Sequence, residues 1–361
     1  MKKFVTMKDV AKKANVSVAT VSIVLNNENS TRISSQTSKR VLQAAKALNY
    51  QPDINAQVLR GKASTTVGLI LPSISNNFYP EMAEGIMEKA TELGYNVVMF
   101  NTRNDLEKEK FSLNTLASMR ASGIIVAGVD HSPQEEINIF ENIVQKGIHI
   151  VRVDRYEPPC KIPSVSINNN RAAYDMTMKL IDDGHTHIAL VLPVRMIHTM
   201  QERYNGFIRA MSERKIPFSQ EDILSVNQDS SDDIERILKI VLDRNKGGQH
   251  YTALFNVACD QCTVKFVQLA KKYGCRIPED LSIAGFDGIS LGDVITPSLT
   301  TIQQPIYEIG LKAMEVLADL IAGNKVQEHE IFLPYKLLSR QSTRQILVDD
   351  GTFANFKNAG S

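Results

Sequence analysis

Three sets of side chains in this 361-residue chain could act on another molecule. Near the start, Ser17, Thr20 and Ser22 are interleaved with Val18, Ala19 and Ile23. Of these, Val18, Ala19, Ser22 and Ile23 are left free to touch another molecule. A second set lies just beyond apolar runs: Ser73, Asn76, Phe78 and Tyr79, then Asp154 and Arg155, then Asp260 and Asp287, with Arg203 opening a helix. Carboxylates and guanidinium groups beside an aromatic plane suit a polyhydroxylated or purine-like ligand, although a lone Asp after a strand commonly only caps the next helix. The third set is Cys259-Asp-Gln-Cys262, a spacing shared by redox and zinc sites. A structural zinc needs four ligands, and only Cys275 and His250 are near in sequence, so neither metal nor redox chemistry is expected. His185 and His187 read as structural.

Enzyme signatures are missing. The sequence has no phosphate-cradling glycine loop, no G-x-S-x-G elbow and no H-E-x-x-H helix, so neither catalysis nor a cofactor is expected. With 43% hydrophobic and 22% charged residues, the chain is globular and long enough for two or three domains. Its net charge of +1 hides an asymmetry. The first 65 residues hold eleven basic and three acidic side chains, a surplus of eight cations, and the remainder carries seven more acids than bases. A small cationic module on an acidic body is the footprint of a nucleic-acid arm joined to a regulatory or catalytic domain. Lys2 and Lys3 precede no apolar run of useful length, no later segment could span a membrane, and the four cysteines are scattered, so a cytoplasmic location is expected.

These side chains need elements to position them. Thr6 caps a short helix with Met7, Val10, Ala11 and Ala14 on one face, Asn15-Val16 turns the chain, and Ser17 caps a second helix with Val21, Val24 and Leu25 inward. On that helix Val18, Ala19, Ser22 and Ile23 face outward. A third helix from Ser34 to about Leu48 closes the core with Val41, Ala45 and Leu48. This is a helix-turn-helix, whose second helix is built to enter the DNA major groove. Residues 52–60 start with Pro and stop before Gly61, so they form a helix too short to persist without a partner.

From Thr66, buried strands alternate with helices: 67–71, 96–100, 124–126 and 148–153, then 165–167, 188–192, 253–256 and 281–286, with helices at 80–93, 171–182, 203–213 and 234–243. Two successive βαβ series predict two doubly wound parallel-sheet lobes. Ligands bind such sheets beyond the carboxyl ends of the strands, where the second set of residues lies. The expected division is a head at 1–60 with a hinge helix at 52–60, a body at 61–345 and a tail at 346–361. The first lobe takes about 66–162 and 291–323, the second about 163–290 and 324–345.

Met7-Lys8-Asp9-Val10-Ala11, Val16-Ser17, Thr20-Val21-Ser22 and Leu25-Asn26 resemble the DNA-binding head of the lac/galactose repressor family. The resemblance continues through 72–79, Gly184-His185, Gly206-Phe207, Ile283 to Asp287, Pro297 to Thr301, Gln304-Pro305 and Arg340 to Thr343. It implies DNA contacts from Thr6, Ser17, Val18, Ala19, Thr20, Ser22, Ile23, Asn26 and Tyr50, and from Asn55, Ala56, Leu59 and Lys62 around the hinge. Leu59 would wedge between base steps in the minor groove. It also implies a body similar to periplasmic sugar-binding proteins, with an effector held by Ser73, Asn76, Phe78, Tyr79, Asp154, Arg155, Arg203, Cys259, Asp260 and Asp287. The sequence departs from the family at two places. Ile23 stands where an arginine is usual, so with Val18 and Ala19 the reading face is apolar and indirect readout takes a larger share. Cys259 stands where an asparagine is common, which removes an amide from the pocket.

The expectation is a homodimeric repressor that binds double-stranded operator DNA under the control of a sugar, sugar phosphate or nucleobase-like effector. The stretch after Ile346 lacks the heptads of a tetramerising coiled coil, which favours the dimer. Alternatives are a regulator that takes a phosphoprotein corepressor, a solute-binding receptor, and an enzyme of small sugars.

Overall fold

A computed structural model describes residues 5–26, 33–51, 64–75, 77–129, 133–155, 162–246 and 251–346. The chain divides into two compact units, 1–64 and 65–361.

In the first unit, α1 (Met7–Ala14), α2 (Val18–Asn26) and α3 (Ser35–Ala47) enclose a small core of Val10, Ala11, Ala14, Val21, Val24, Val41, Ala44 and Ala45. Leu25 and Leu48 pack on it half-buried. The start of α1 is fixed by Asp9, whose carboxylate accepts from the Thr6 N–H at 2.8 Å and the Thr6 hydroxyl at 2.7 Å. Asn15 ends the helix at φ 53°, a left-handed conformation Asn tolerates better than most residues. The Ser17 hydroxyl then accepts from the Thr20 N–H at 3.1 Å, and that of Ser34 from the Thr37 N–H at 3.3 Å, so both later helices begin on the predicted caps.

The second unit holds two six-stranded sheets. The first uses β1 (Thr66–Leu71), β2 (Asn96–Asn101), β3 (Gly123–Val126), β4 (His149–Val153) and β5 (Ser164–Ser166), connected by α4 (Phe78–Glu92), α5 (Leu106–Ser118) and α6 (Pro133–Val144). The second uses β6 (Ile188–Pro193), β7 (Ile223–Val226), β8 (Ala253–Asn256), β9 (Ser282–Asp287) and β10 (Thr300–Gln303), with α7 (Asn169–Asp182), α8 (His198–Glu213), α9 (Ser231–Lys246), α10 (Asp260–Lys272) and the short α11 (Leu291–Val294). After β10 the chain returns to the first lobe through α12 (Ile306–Ile321) and β11 (Glu330–Phe332). It ends in the second lobe with β12 (Lys336–Leu338).

The strand orders are β11-β5-β4-β3-β1-β2 and β12-β10-β9-β8-β6-β7. Every pair is parallel except β10 with β12, where Thr301 faces Leu338. Both sheets therefore reverse direction beside their first strand, which opens a crevice at the carboxyl ends of β1 and β3 and of β6 and β8. The lobe crossings differ from those expected at 162, 291 and 323. β5 belongs to the first sheet, β10 to the second and β11 to the first, so the chain crosses after 166, 303 and 332. β10 escapes the apolar pattern because Thr300-Thr301-Ile302-Gln303 satisfies its buried hydroxyls internally. The strands β7, β11 and β12 are also additions to the expected set, each only three or four residues long.

α12 lies against α4 so closely that neither helix admits a side chain at the crossing. A Cβ on Gly85 would stand 2.2 Å from the Tyr307 carbonyl oxygen, and one on Gly310 2.2 Å from that of Met82. Gly206 on α8 is in the same situation against the Asn170 carbonyl of α7. Among the described residues no helix is long and apolar enough to cross a membrane.

Candidate functional site

In the head, Ser17, Val18 and Ala19 form the exposed beginning of α2, with Val18 39% accessible. Ser22 and Ile23 follow half-buried. The hydroxyls of Ser17 and Thr20 lie 2.9 Å apart, so they hold each other and the helix start while keeping acceptor capacity. Thr6 is engaged with Asp9, and Tyr50 packs half-buried against the head core; both have structural work in addition to any contact outside. Exposed Lys8, Lys12 and Lys13 on α1, and Lys39, Arg40 and Lys46 on α3, supply the positive surface. Asn26 ends α2. Asn55, Ala56, Leu59 and Lys62 lie outside the described residues, as does Asn76 of the body.

In the body, residues following the first strands of both sheets face one crevice. Its inner wall holds two buried polar clusters. The Tyr79 hydroxyl donates to Asp154 at 2.9 Å, and the Thr199 hydroxyl of the second lobe donates to the Asp154 carbonyl at 2.9 Å. Arg203, 1% exposed, donates from Nε to the Asn169 side chain at 2.9 Å and from Nη1 to the Val257 carbonyl at 2.7 Å, and its guanidinium stacks 3.7 Å from the Phe286 ring. Nη1 also stands 4.0 Å from Asp287, whose carboxylate accepts from Gln304 at 2.9 Å. Asp154 and Asp287 sit at φ 59° and 131°, conformations that cost a non-glycine residue on the order of 1–3 kcal/mol and are held by the packed surroundings.

Burial dominates the electrostatics here. It pushes the Asp287 carboxyl well above its ordinary range against the pull of Arg203, lowers Arg203 itself, and raises the Tyr79 hydroxyl despite neighbouring Arg155. A dry, paired wall of this kind discriminates by hydrogen-bond geometry, because an ill-fitting ligand leaves buried groups unsatisfied.

The outer part of the crevice consists of two adjoining pockets of about 560 and 350 Å³, within the range of small-molecule sites, about 300–1,000 Å³. Ser73, Tyr79, Arg155 and Cys259 of the predicted set line the larger one. Both pockets also touch Arg103, Asn104, Gln228 and Asp229, and the smaller is closed by Pro193 to Arg195, Ile197 and Met200. These residues follow β2, β6 and β7, strand ends to which the carboxyl-end rule applies equally. The 227–229 turn was hidden because β7 was.

Two predicted residues have other roles. Asp260 is fully buried; it accepts from the Thr301 hydroxyl at 2.9 Å and the Gly288 N–H at 2.7 Å, bracing α10 against the turn after β9. Burial raises its carboxyl to about 6 while these bonds resist. Phe78 is buried and meets the Tyr79 ring edge-on, 5.2 Å between centroids, so it orients Tyr79. Cys259 and Cys262 are buried free thiols. Burial pushes Cys259 well above the usual thiol range and Cys262 up to about 12, which suppresses the thiolate that redox and metal chemistry require.

Residues 6–53 match the profile described as bacterial regulatory proteins, lacI family, and residues 177–343 match a periplasmic binding protein-like domain. The chain is 34% identical over 346 residues to catabolite control protein A of Priestia megaterium, covering 94% of this chain and 99% of that one. Its structure is similar to that of the lac repressor dimer bound to operator and an anti-inducer, with a TM-score of 0.83, 25% identity, and 95% and 100% of the two chains covered. It is also similar to a LacI family regulator from Enterococcus faecium with bound ribose, with a TM-score of 0.68, 26% identity, and 78% and 100% covered. A helix-turn-helix head and a bilobed body, matched along nearly the whole length of a bacterial regulator, place this chain in the lacI family of transcriptional regulators.

Proposed function

We propose that the protein is a homodimeric repressor whose hold on a pseudo-palindromic operator is set by a small polyhydroxylated effector bound between the lobes of the body. The observation that carries this reading is the crevice itself. Its walls come from both lobes, and its inner face combines Asp154 and Asp287 with Arg203 and Tyr79, a mixture of acceptors and donors that suits hydroxyl groups. A ligand that touches both walls binds the closed arrangement better than the open one, and that differential affinity is what shifts a two-state equilibrium. Moving it from 1:99 to 99:1 takes about 5.5 kcal/mol, within reach of a few good hydrogen bonds. The solved relatives supply the precedent of operator, dimer and bound ribose. In the head, Ser17, Thr20 and Ser22 serve the phosphates, Val18, Ala19 and Ile23 meet the bases, and Leu59 is the wedge of the hinge.

The test is selection of operator fragments from genomic DNA by the purified protein, repeated with a panel of sugars, sugar phosphates, nucleosides and bases. One fragment class should be enriched, and one metabolite class should change its retention. Arg203→Ala should lose that response, and the milder Tyr79→Phe should weaken it about tenfold, a loss of one hydrogen bond to a charged group. A response unchanged in both variants removes the crevice from the mechanism.

A further inference from the structure

The inner and outer parts of the crevice differ in charge balance. Inside, each charged group has an opposite or hydrogen-bonding partner, as described. Outside, cations prevail. Two guanidinium groups meet at Asn104: Arg155 donates to its side-chain oxygen at 2.6 Å, and Arg195 reaches across from the second lobe to its carbonyl at 3.2 Å. Arg103 precedes Asn104 in the same left-handed turn and lines both pockets. Lys265 of α10 lines the same larger pocket. Arg155 has Asp154 at 3.8 Å, but Arg103, Arg195 and Lys265 have no carboxylate within 4 Å among the described residues. Among the described residues Asp229 is the one acidic side chain lining either pocket. Like charges held together in a crevice repel one another, and low-dielectric walls focus their field on whatever anion enters. Beside them the Gln228 side-chain oxygen is buried with no hydrogen-bond partner, an acceptor that a ligand hydroxyl would satisfy.

We propose that the outer crevice is an anion subsite and that the effector is a phosphorylated sugar or polyol. Its phosphate is held by Arg103, Arg155 and Arg195 with support from Lys265, and its hydroxyls run inward past Gln228 toward Asp154, Asp287 and Arg203. This rests on the reading of the crevice as the effector site and sharpens it. A guanidinium fork matches two phosphate oxygens at once, so Arg103 and Arg195, one from each lobe, would bridge the lobes through the anion. A neutral sugar offers these groups only uncharged acceptors, without the charge and the bidentate match of a phosphate, which points to products of a phosphorylation step.

Calorimetric titration of the full-length protein decides the matter. The probes are inorganic phosphate, the pairs glucose and glucose 6-phosphate, fructose and fructose 6-phosphate, and ribose and ribose 5-phosphate, and gluconate as a carboxylate control. Inorganic phosphate should bind saturably, and at least one phosphorylated sugar should bind ten times or more tighter than its parent. In the double variant Arg103→Gln/Arg195→Gln, with thermal melting to certify the fold, phosphate binding should vanish and the preference should fall to about onefold. The single Arg103→Gln variant should give an intermediate loss. No saturable phosphate binding by the natural sequence, a tenfold preference that survives the double substitution, or gluconate binding tighter than every phosphate each overturns the proposal. An unphosphorylated sugar that binds at least as tightly as its phosphate and releases operator would reject the anion subsite while keeping the crevice as effector site. Phosphate binding lost in the double variant, together with no operator response to anything bound, would do the reverse.

Discussion

Asp260, just beyond β8, and Asp287, the last residue of β9, are both buried, yet their partners give them different work. Thr301 and the Gly288 N–H consume Asp260, whereas Asp287 faces a guanidinium 4.0 Å away and keeps acceptor capacity toward the crevice. Sequence position alone assigns them the same role, because a strand-end carboxylate is legible but its hydrogen-bond partners are brought from 41 and 17 residues away. Arg103 and Arg195 were illegible for a similar reason: charged residues in turns are ordinarily solvated, and only the facing of two lobes sets them opposite one another. His185 offers a residue-scale test. Its Nε2 faces the Arg344 carbonyl at 3.0 Å and donates to it, and in the neutral ring Nδ1 accepts from the Thr252 hydroxyl at 3.0 Å. Burial lowers its pKa below 6.5, so the unfolded chain takes up the proton first and the contribution of His185 to stability, present above 6.5, is lost as pH falls through the folded value. The gap in melting temperature between the natural protein and His185→Gln should therefore narrow from pH 7.5 to 5.5. A constant gap would assign the histidine a purely steric role.

At the scale of elements, the helices of the head were readable to within a residue because each begins on a side-chain cap and buries residues at helical spacing. The buried central strands of the body were equally plain as apolar runs. The edge strand β7 and the polar β10 were not, since one alternates over only four residues and the other buries hydroxyls. The crossing of α4 and α12 was also invisible, for a glycine in a helix announces nothing until its neighbour is known. That crossing makes a specific demand. Gly310→Ala places a methyl group against the Met82 carbonyl, where backbone and not a flexible side chain must yield, and the expected loss is about 1–3 kcal/mol or more, read from the urea midpoint. Gly85→Ala strains the same crossing from the other side. Once the helices are forced apart by either substitution the second has less to displace, so the double variant should lose less than the sum of the singles. Strict additivity would mean that the two contacts are independent.

For the molecule as a whole, the eight-cation surplus of the first 65 residues and the acidic balance of the rest assign binding of polyanions to one unit and sensing to the other. Two sites that influence each other through one chain are bound by thermodynamic reciprocity: if effector weakens operator binding by some factor, operator must weaken effector binding by the same factor. Coupling of this kind typically amounts to about 1–3 kcal/mol, or 5–150-fold. The prediction is measured with whichever panel compound changes operator retention. Its affinity is determined by calorimetry on the free protein and again on the protein saturated with operator duplex, and the operator affinity is determined with and without the compound at the same salt concentration, because phosphate contacts make that affinity steeply salt-dependent. The two ratios should agree within experimental error whether the compound releases the operator or tightens it. Unequal ratios would show that the compound also binds elsewhere, competing on the cationic head for the DNA itself, and would detach the crevice of the body from the control of the operator.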